Sequence, residues 1–249
     1  MKSSRKPGRA KPRRGAGPRA ASGSRPFVML NLAITADGKI NTANRRVSSF
    51  SSRRDSEHML ELRATVDAVM SGARTVDLHS VTLGTGPAKY RRLRERRGLA
   101  PHPLRVVVSG SGSVDPKAVI FRRGTSPIII LTSRRATEAR LAKLRPLVQE
   151  IKSFGSFELN IREALRWLCR EWKVKRLLCE GGGELNDALF RAGLVDELHL
   201  TICPKIFGGW SAPTIADGLG LRSLSKAVRF RLRSSKRVGD ELFLVFARR

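Results

Sequence analysis

At 249 residues, 41% of them hydrophobic, the chain suffices for one large domain or two small ones with a substantial buried core. No apolar run approaches the roughly 18–20 residues of a membrane-spanning helix, so no membrane partner is expected. The net charge of +28 favours acidic partners, while Cys169, Cys179 and Cys203, without a C-x-x-C pair, and four unclustered histidines argue for a reduced, cytoplasmic protein lacking structural disulfides and zinc.

Residues 1–25 hold nine Lys/Arg and no acidic residue, so setting them aside leaves +19 on the other 224 residues. Rich in Pro, Gly, Ser and Ala, they read as a disordered basic tail. Such a tail either touches nucleic acid or acidic surfaces non-specifically or merely solvates the protein. It lacks the apolar segment of a signal peptide, and its prolines and glycines spoil the amphipathic helix of a transit peptide. Residues 26–249 read as a single domain.

Phe27 to Ile34, almost wholly apolar with Asn31 as the interruption, predicts a strand buried on both faces, ended by the turn Asp37-Gly38. Ser51 or Ser52 caps a helix running to about Ala64. Asp67 to Met70 predicts a strand, followed by a polar loop to about Pro87 and a basic stretch, Lys89 to Arg97, read as a solvated helix face. Leu104 to Ser109 and Pro127 to Thr132 are buried-type strands joined by a loop. Arg135 to Leu144 is a predicted helix, Val148 to Ser153 a short strand and Ile161 to Trp172 an amphipathic helix.

Lys175 to Phe190 then reads KRLLCEGGGELNDALF: a short apolar strand, Glu180 at its end, three glycines, and apolar positions at helical spacing. Strand, glycine turn, helix aims free backbone N–H groups at an anion. Asn186 stands where the last glycine of G-x-G-x-x-G would fall, so the standard dinucleotide fingerprint is absent. A carboxylate at a strand's carboxyl end beside such a cradle lies where open α/β sheets bind ligands. Asp196 to Ile206 predicts a long strand, Trp210 to Leu224 a mobile loop, and Val228–Arg233 and Glu241–Ala247 a terminal hairpin. The alternation predicts a mostly parallel α/β sheet flanked by helices, with an antiparallel C-terminal hairpin.

Four pieces, LNLAITADGKINT (30–42), SRRDSEHMLELRATVDAVMSGARTV (52–76), EGGGELNDALF (180–190) and LVDELHLTICPKIFGG (194–209), span about 180 residues. In that order they resemble the reductase domain of riboflavin biosynthesis, which has a dihydrofolate-reductase-like fold. The resemblance implies NADPH-dependent reduction of a phosphoribosylamino-pyrimidine, with hydride delivered to the sugar's C1′ and the ribose opened to a ribityl chain. The cofactor would carry the chemistry, so no catalytic triad is expected, and none is visible. The zinc deaminase signature fused to bacterial members is also missing, which implies a stand-alone reductase.

Carried over by resemblance, Ala33 abuts the cofactor, Thr75 contacts it, and Gly181, Gly182, Gly183, Glu184 and Leu185 form its pyrophosphate-facing turn. Arg63 matches an arginine on the substrate's phosphate, Glu180 a substrate-binding carboxylate, and Leu83 a substrate-contacting leucine. Arg63 as a helix-end salt bridge and Thr75 as a loop cap remain the structural alternatives. Asn31 stands where bifunctional bacterial members have lysine. An amide there suits an exocyclic amine and favours the diamino ring, unless it only satisfies strand-end backbone. Two departures are plain: His79 replaces the family's cofactor-contacting aspartate, and Gly86 replaces a phosphate-binding arginine, leaving Lys89, Arg91 or Arg92 to substitute. The resemblance also suggests a homodimer, with Asp196–Ile206 as an interface candidate. Two other classes fit the sequence: a different nicotinamide-dependent reductase, acting on a pteridine or other carbonyl, and a basic nucleic-acid-associated protein without enzyme activity. Dependence on the 5′-phosphate and salt-resistant nucleic-acid binding would separate them.

Overall fold

A nine-stranded sheet runs through the computed structural model, which describes residues 24–46, 49–79, 81–122 and 126–249. In chain order the strands are β1 (Phe27–Thr35), β2 (Ala68–Gly72), β3 (Leu104–Val108), β4 (Ile128–Thr132), β5 (Glu150–Ser153), β6 (Arg176–Cys179), β7 (Glu197–Cys203), β8 (Phe230–Val238) and β9 (Glu241–Arg248). Their spatial order is β5-β4-β3-β2-β6-β1-β7-β9-β8, parallel from β5 through β7 and antiparallel at β7–β9 and β9–β8. The expected sheet with its antiparallel terminal hairpin is therefore present. Most of the predicted basic tail lies outside the described residues, but Arg25 belongs to the folded part. Its guanidinium donates to both carboxylate oxygens of Asp196 at 2.7 and 2.8 Å.

The near-continuous apolar runs follow from a sheet covered on both faces, because successive side chains point to opposite sides. Val28, Leu30, Ala68, Met70, Val106, Ile129 and Leu177 share one core, while Met29, Val69, Val107, Ile128, Ile130 and Leu178 share the other. Helices α6 (Ile161–Glu171) and α7 (Gly183–Arg191) pack on the first face. Asn160 caps α6, its side chain accepting from the Glu163 N–H, and Ile161, Ala164, Leu165 and Leu168 form the buried stripe. The second face carries α1 (Arg53–Arg63), α2 (Ala73–Leu78), α4 (Val119–Arg122) and α5 (Glu138–Leu144), and α3 (Ala88–Glu95) lies against the end of α1.

Four expectations need correction. The segment after β2 is not loop throughout, since α2 forms a helix that buries only Val76, too little to leave a periodic pattern. The basic stretch is helical but not wholly solvated. Arg94 is buried and donates to the carbonyls of Ala100 (2.7 Å), Arg63 (2.6 Å) and Val66 (2.6 Å). Segment 210–224 is tied down: Asn186 donates to the Ile215 carbonyl at 2.8 Å, and Asp217 N–H donates to the Gly183 carbonyl at 3.0 Å. Finally, β7 lies between β1 and β9, so neither of its edges is open to a partner.

Candidate active site

Parallel strands end together, and the carboxyl ends of β1, β2, β3 and β6 open into one cleft of ≈ 1180 Å³. Of the residues singled out in the sequence, Asn31, Arg63, Glu180, Ala33, Thr75, His79, Gly182, Gly183, Glu184 and Leu185 line it. Leu83 does not. Its side chain is fully buried in the second core, at a position with left-handed backbone (φ 54), and its neighbours Val81 and Thr82 line the cleft instead. Gly181 also stands behind the cleft wall, its carbonyl accepting from Gly72 N–H (2.9 Å) and the Ser71 hydroxyl (3.1 Å), which ties β2 to the end of β6.

The centre of the cleft is an ion pair. Arg63, on the last turn of α1, donates from Nε and Nη2 to the two oxygens of Glu180, both at 2.6 Å, and from Nη1 to the Gly84 carbonyl at 2.7 Å. The two predicted substrate residues thus hold each other in a fork-to-fork geometry with side chains only 8% and 9% exposed. Asn31, beside them on β1, presents an Oδ1 that is buried and has no hydrogen-bond partner. It does not satisfy strand-end backbone through that atom.

The glycine turn leads into α7 with Gly182 in the N-cap position and no side-chain cap, so the first backbone N–H groups face the cleft. A Cβ on Gly182 would stand 3.1 Å from Thr75 Oγ1, and one on Gly183 would stand 2.5 Å from an Asp217 carboxylate oxygen. Backbone can therefore approach a ligand here only because side chains are missing. This uncapped helix start beside a threonine fits the pyrophosphate of a dinucleotide.

His79 lines the same wall, its Nε2 3.4 Å from Asn41 Nδ2. Burial holds it below the ordinary imidazole value of 6.5, so it is neutral at pH 7 and supplies no charge in place of the family aspartate. Lys89, Arg91 and Arg92 are exposed and do not line the cleft, so they do not replace the arginine missing at Gly86. An arginine at Gly86 itself would be strained, since φ is +71 and its Cβ would push on Leu60 Cδ2 at 2.9 Å.

Sequence reasoning missed other cations of the cleft. Arg45 lines it with no carboxylate in ion-pair range among the described residues, and Arg135 reaches it from beyond β4, stacked 4.9 Å from the Phe157 ring. Asp55, on the first turn of α1, lines it too. No motif marks these positions, and only the chain's path brings them in.

Comparisons with known proteins identify the family. Residues 26–244 match the model of the RibD C-terminal domain family. A protein of Methanothermobacter thermautotrophicus named 2,5-diamino-6-ribosylamino-4(3H)-pyrimidinone 5′-phosphate reductase is 34% identical over 224 residues, covering 89% of this chain and 98% of its own. A like-named protein of Archaeoglobus fulgidus is also 34% identical, over 90% and 98% of the two chains. The fold matches Acinetobacter baumannii RibD with a TM-score of 0.72 at 20% identity, over 93% of this chain and 60% of that one. It also matches the Saccharomyces riboflavin biosynthesis reductase Rib7, with a TM-score of 0.64 at 14% identity over 93% of both. A glycine cradle, a carboxylate at a strand end and a match across nearly the whole folded chain lead to one conclusion: this protein is a reductase of the RibD C-terminal domain family.

Proposed function

We propose that the chain reduces 2,5-diamino-6-ribosylamino-4(3H)-pyrimidinone 5′-phosphate to its ribityl form, with NADPH as reductant. The observation that carries this reading is the Arg63–Glu180 pair with the unpartnered Asn31 Oδ1 beside the glycine cradle, in one cleft. The 34% identity to proteins named for this reaction supports the substrate.

Ring opening moves the substrate's N–H proton to O4′ and leaves a C1′=N double bond. NADPH, when bound, supplies the hydride that adds to C1′, and water supplies the proton that adds to nitrogen. The protein's part is to bind and to orient donor and acceptor. Gly182, Gly183 and Thr75 hold the pyrophosphate, and Glu184 and Leu185 continue that surface. Arg135, with Ser109 and Ser111 nearby in the wall, takes the 2′-phosphate that separates NADPH from NADH. Arg45 takes the substrate's 5′-phosphate in place of the arginine absent at Gly86. Glu180, fixed by Arg63, faces the substrate's polar groups, and Asn31 faces its ring.

The same reading carries a homodimer and a cytoplasmic location. Among the described residues no helix is long and apolar enough to cross a membrane. The dimer would cover the terminal hairpin, where Leu232 and Leu242 are 56% and 43% exposed. The deciding experiment follows NADPH oxidation by the purified chain with the diamino-pyrimidinone phosphate and with its dephosphorylated form. Turnover that depends on the phosphate is expected; no turnover with either would overturn the assignment.

A further inference from the structure

Three buried side-chain oxygens or nitrogens among the described residues have no hydrogen-bond partner: Asn31 Oδ1, Asp55 Oδ1 and the Tyr90 hydroxyl. The first two line the same cleft, and Tyr90 does not. Buried polar atoms are nearly always paired, so two orphaned acceptors in one cleft point to donors that arrive with a ligand.

Asp55 is the more telling of the two. Its residue is 7% exposed, yet no cation lies within ion-pair distance of it among the described residues. The arginines of its own helix are committed elsewhere: Arg53 to Glu57, Arg54 to Glu61 and Arg63 to Glu180. A buried carboxylate oxygen without a donor is expensive, and the helix N-terminus on which Asp55 sits offsets only part of that. Its placement is also deliberate in geometry. Asp55, Met59 and Arg63 fall at intervals of four on α1, so one helix face presents all three to the cleft. Asn31 lines the same cleft from β1.

We infer that Asp55, with Asn31, is the specificity-determining element that receives the amino edge of the substrate's pyrimidine and rejects the deaminated ring. The inference rests on the reductase reading above and sharpens it. In the diamino-pyrimidinone the ring N3–H and the 2-amino group are adjacent donors, matched by the two oxygens of one carboxylate. After hydrolytic deamination the 2-position bears a carbonyl, and its lone pairs would face the carboxylate. A site built to accept a hydrogen bond discriminates strongly against an analogue lacking the donor, because the buried group is left unpaired.

The test uses the full chain as wild type, Asp55→Asn and Asp55→Ala. The readouts are kcat and KM on the diamino- and the deaminated ribosylamino-pyrimidine phosphates, with NADPH affinity by fluorescence. Asp55→Asn, which keeps the size of the side chain, should lower kcat/KM for the diamino substrate by about 100-fold. It should leave that for the deaminated substrate unchanged or higher, with NADPH affinity within about twofold of wild type. Equal losses on both substrates would mark a structural role and overturn the inference, as would an unchanged preference for the diamino ring. If wild type reduces the diamino substrate and Asp55→Asn does so equally well, only this inference fails. If wild type reduces neither pyrimidine, the reductase reading fails and takes the inference with it.

Discussion

Glu180 and Arg63 were both legible as single residues: a carboxylate closing an apolar strand and an arginine ending a capped helix. Their meeting was not, because 117 positions separate them and no periodicity links a helix end to a distant strand end. The pair is buried and bidentate, so removing one partner strands the other charge. Glu180→Ala should cost about 3–5 kcal/mol in denaturant unfolding. It should also lower kcat/KM by at least ~100-fold through misplaced substrate. A variant of wild-type stability and activity would show that Arg63 finds compensation elsewhere. Arg135 makes a different prediction. If it holds the 2′-phosphate, Arg135→Ala raises the Kd for NADPH about tenfold, in line with the loss of one charge-assisted contact, and leaves NADH unaffected. Parallel fluorescence titrations with the two nucleotides check this. Leu83 shows the limit of matching by motif. A correct position along the chain says nothing of direction, and at Leu83 the side chain faces the core.

The element that organises the substrate side is α1, and its start is fixed from the far end of the chain. Ser52 accepts from the Asp55 N–H (3.2 Å) and in turn donates from its backbone N–H (2.7 Å) and hydroxyl (2.5 Å) to Glu241 of β9. The cap could be read from sequence, since Ser before a polar turn favours it. Its anchor could not, for β9 lies 189 residues away. Glu241→Ala should destabilise the fold by about 2–3 kcal/mol, as a carboxylate accepting two hydrogen bonds is lost. Because α1 carries Arg63 and Asp55, KM for the pyrimidine should rise several-fold while NADPH affinity holds. Urea unfolding and steady-state kinetics on the same preparation separate the two effects. Helix α3 teaches the converse. Its sequence is a run of cations with ordinary surface character, yet Arg94 turns inward to three carbonyls, and burial pushes its pKa down to about 10. The charge pattern was visible, but a void edged by unpaired carbonyls exists only after α1, β2 and α3 have packed.

For the molecule as a whole, pH acts through its imidazoles. Burial lowers His58, His79 and His102 below 6.5, with His199 adding to the effect at His58. The unfolded chain therefore takes up more protons than the fold once pH drops below about 6.5, and stability falls with it. A thermal melt at pH 5.5 should lie below one at pH 7.5, and His79→Gln should narrow the gap; an equal or higher melt at pH 5.5 would contradict the assignment. Residues 1–23 carry eight of the cations and either merely solvate the chain or add a non-specific nucleic-acid binding that collapses with salt. Deleting them should leave NADPH affinity and turnover intact and remove whatever low-salt nucleic-acid binding the full chain shows, as kinetics and gel shift would register. The sequence alone determined the α/β class, the strands, the terminal hairpin, the family resemblance and the glycine turn that starts α7, because apolar runs, glycine turns and local spacing act over a few residues. Only the tertiary structure decided that β7 is interior, that Arg63 closes on Glu180, and that Asp55 and Asn31 line one cleft, each with an unpartnered Oδ1. Those outcomes depend on strand order and packing, in which residues far apart in sequence compete to satisfy the same buried charges and hydrogen bonds.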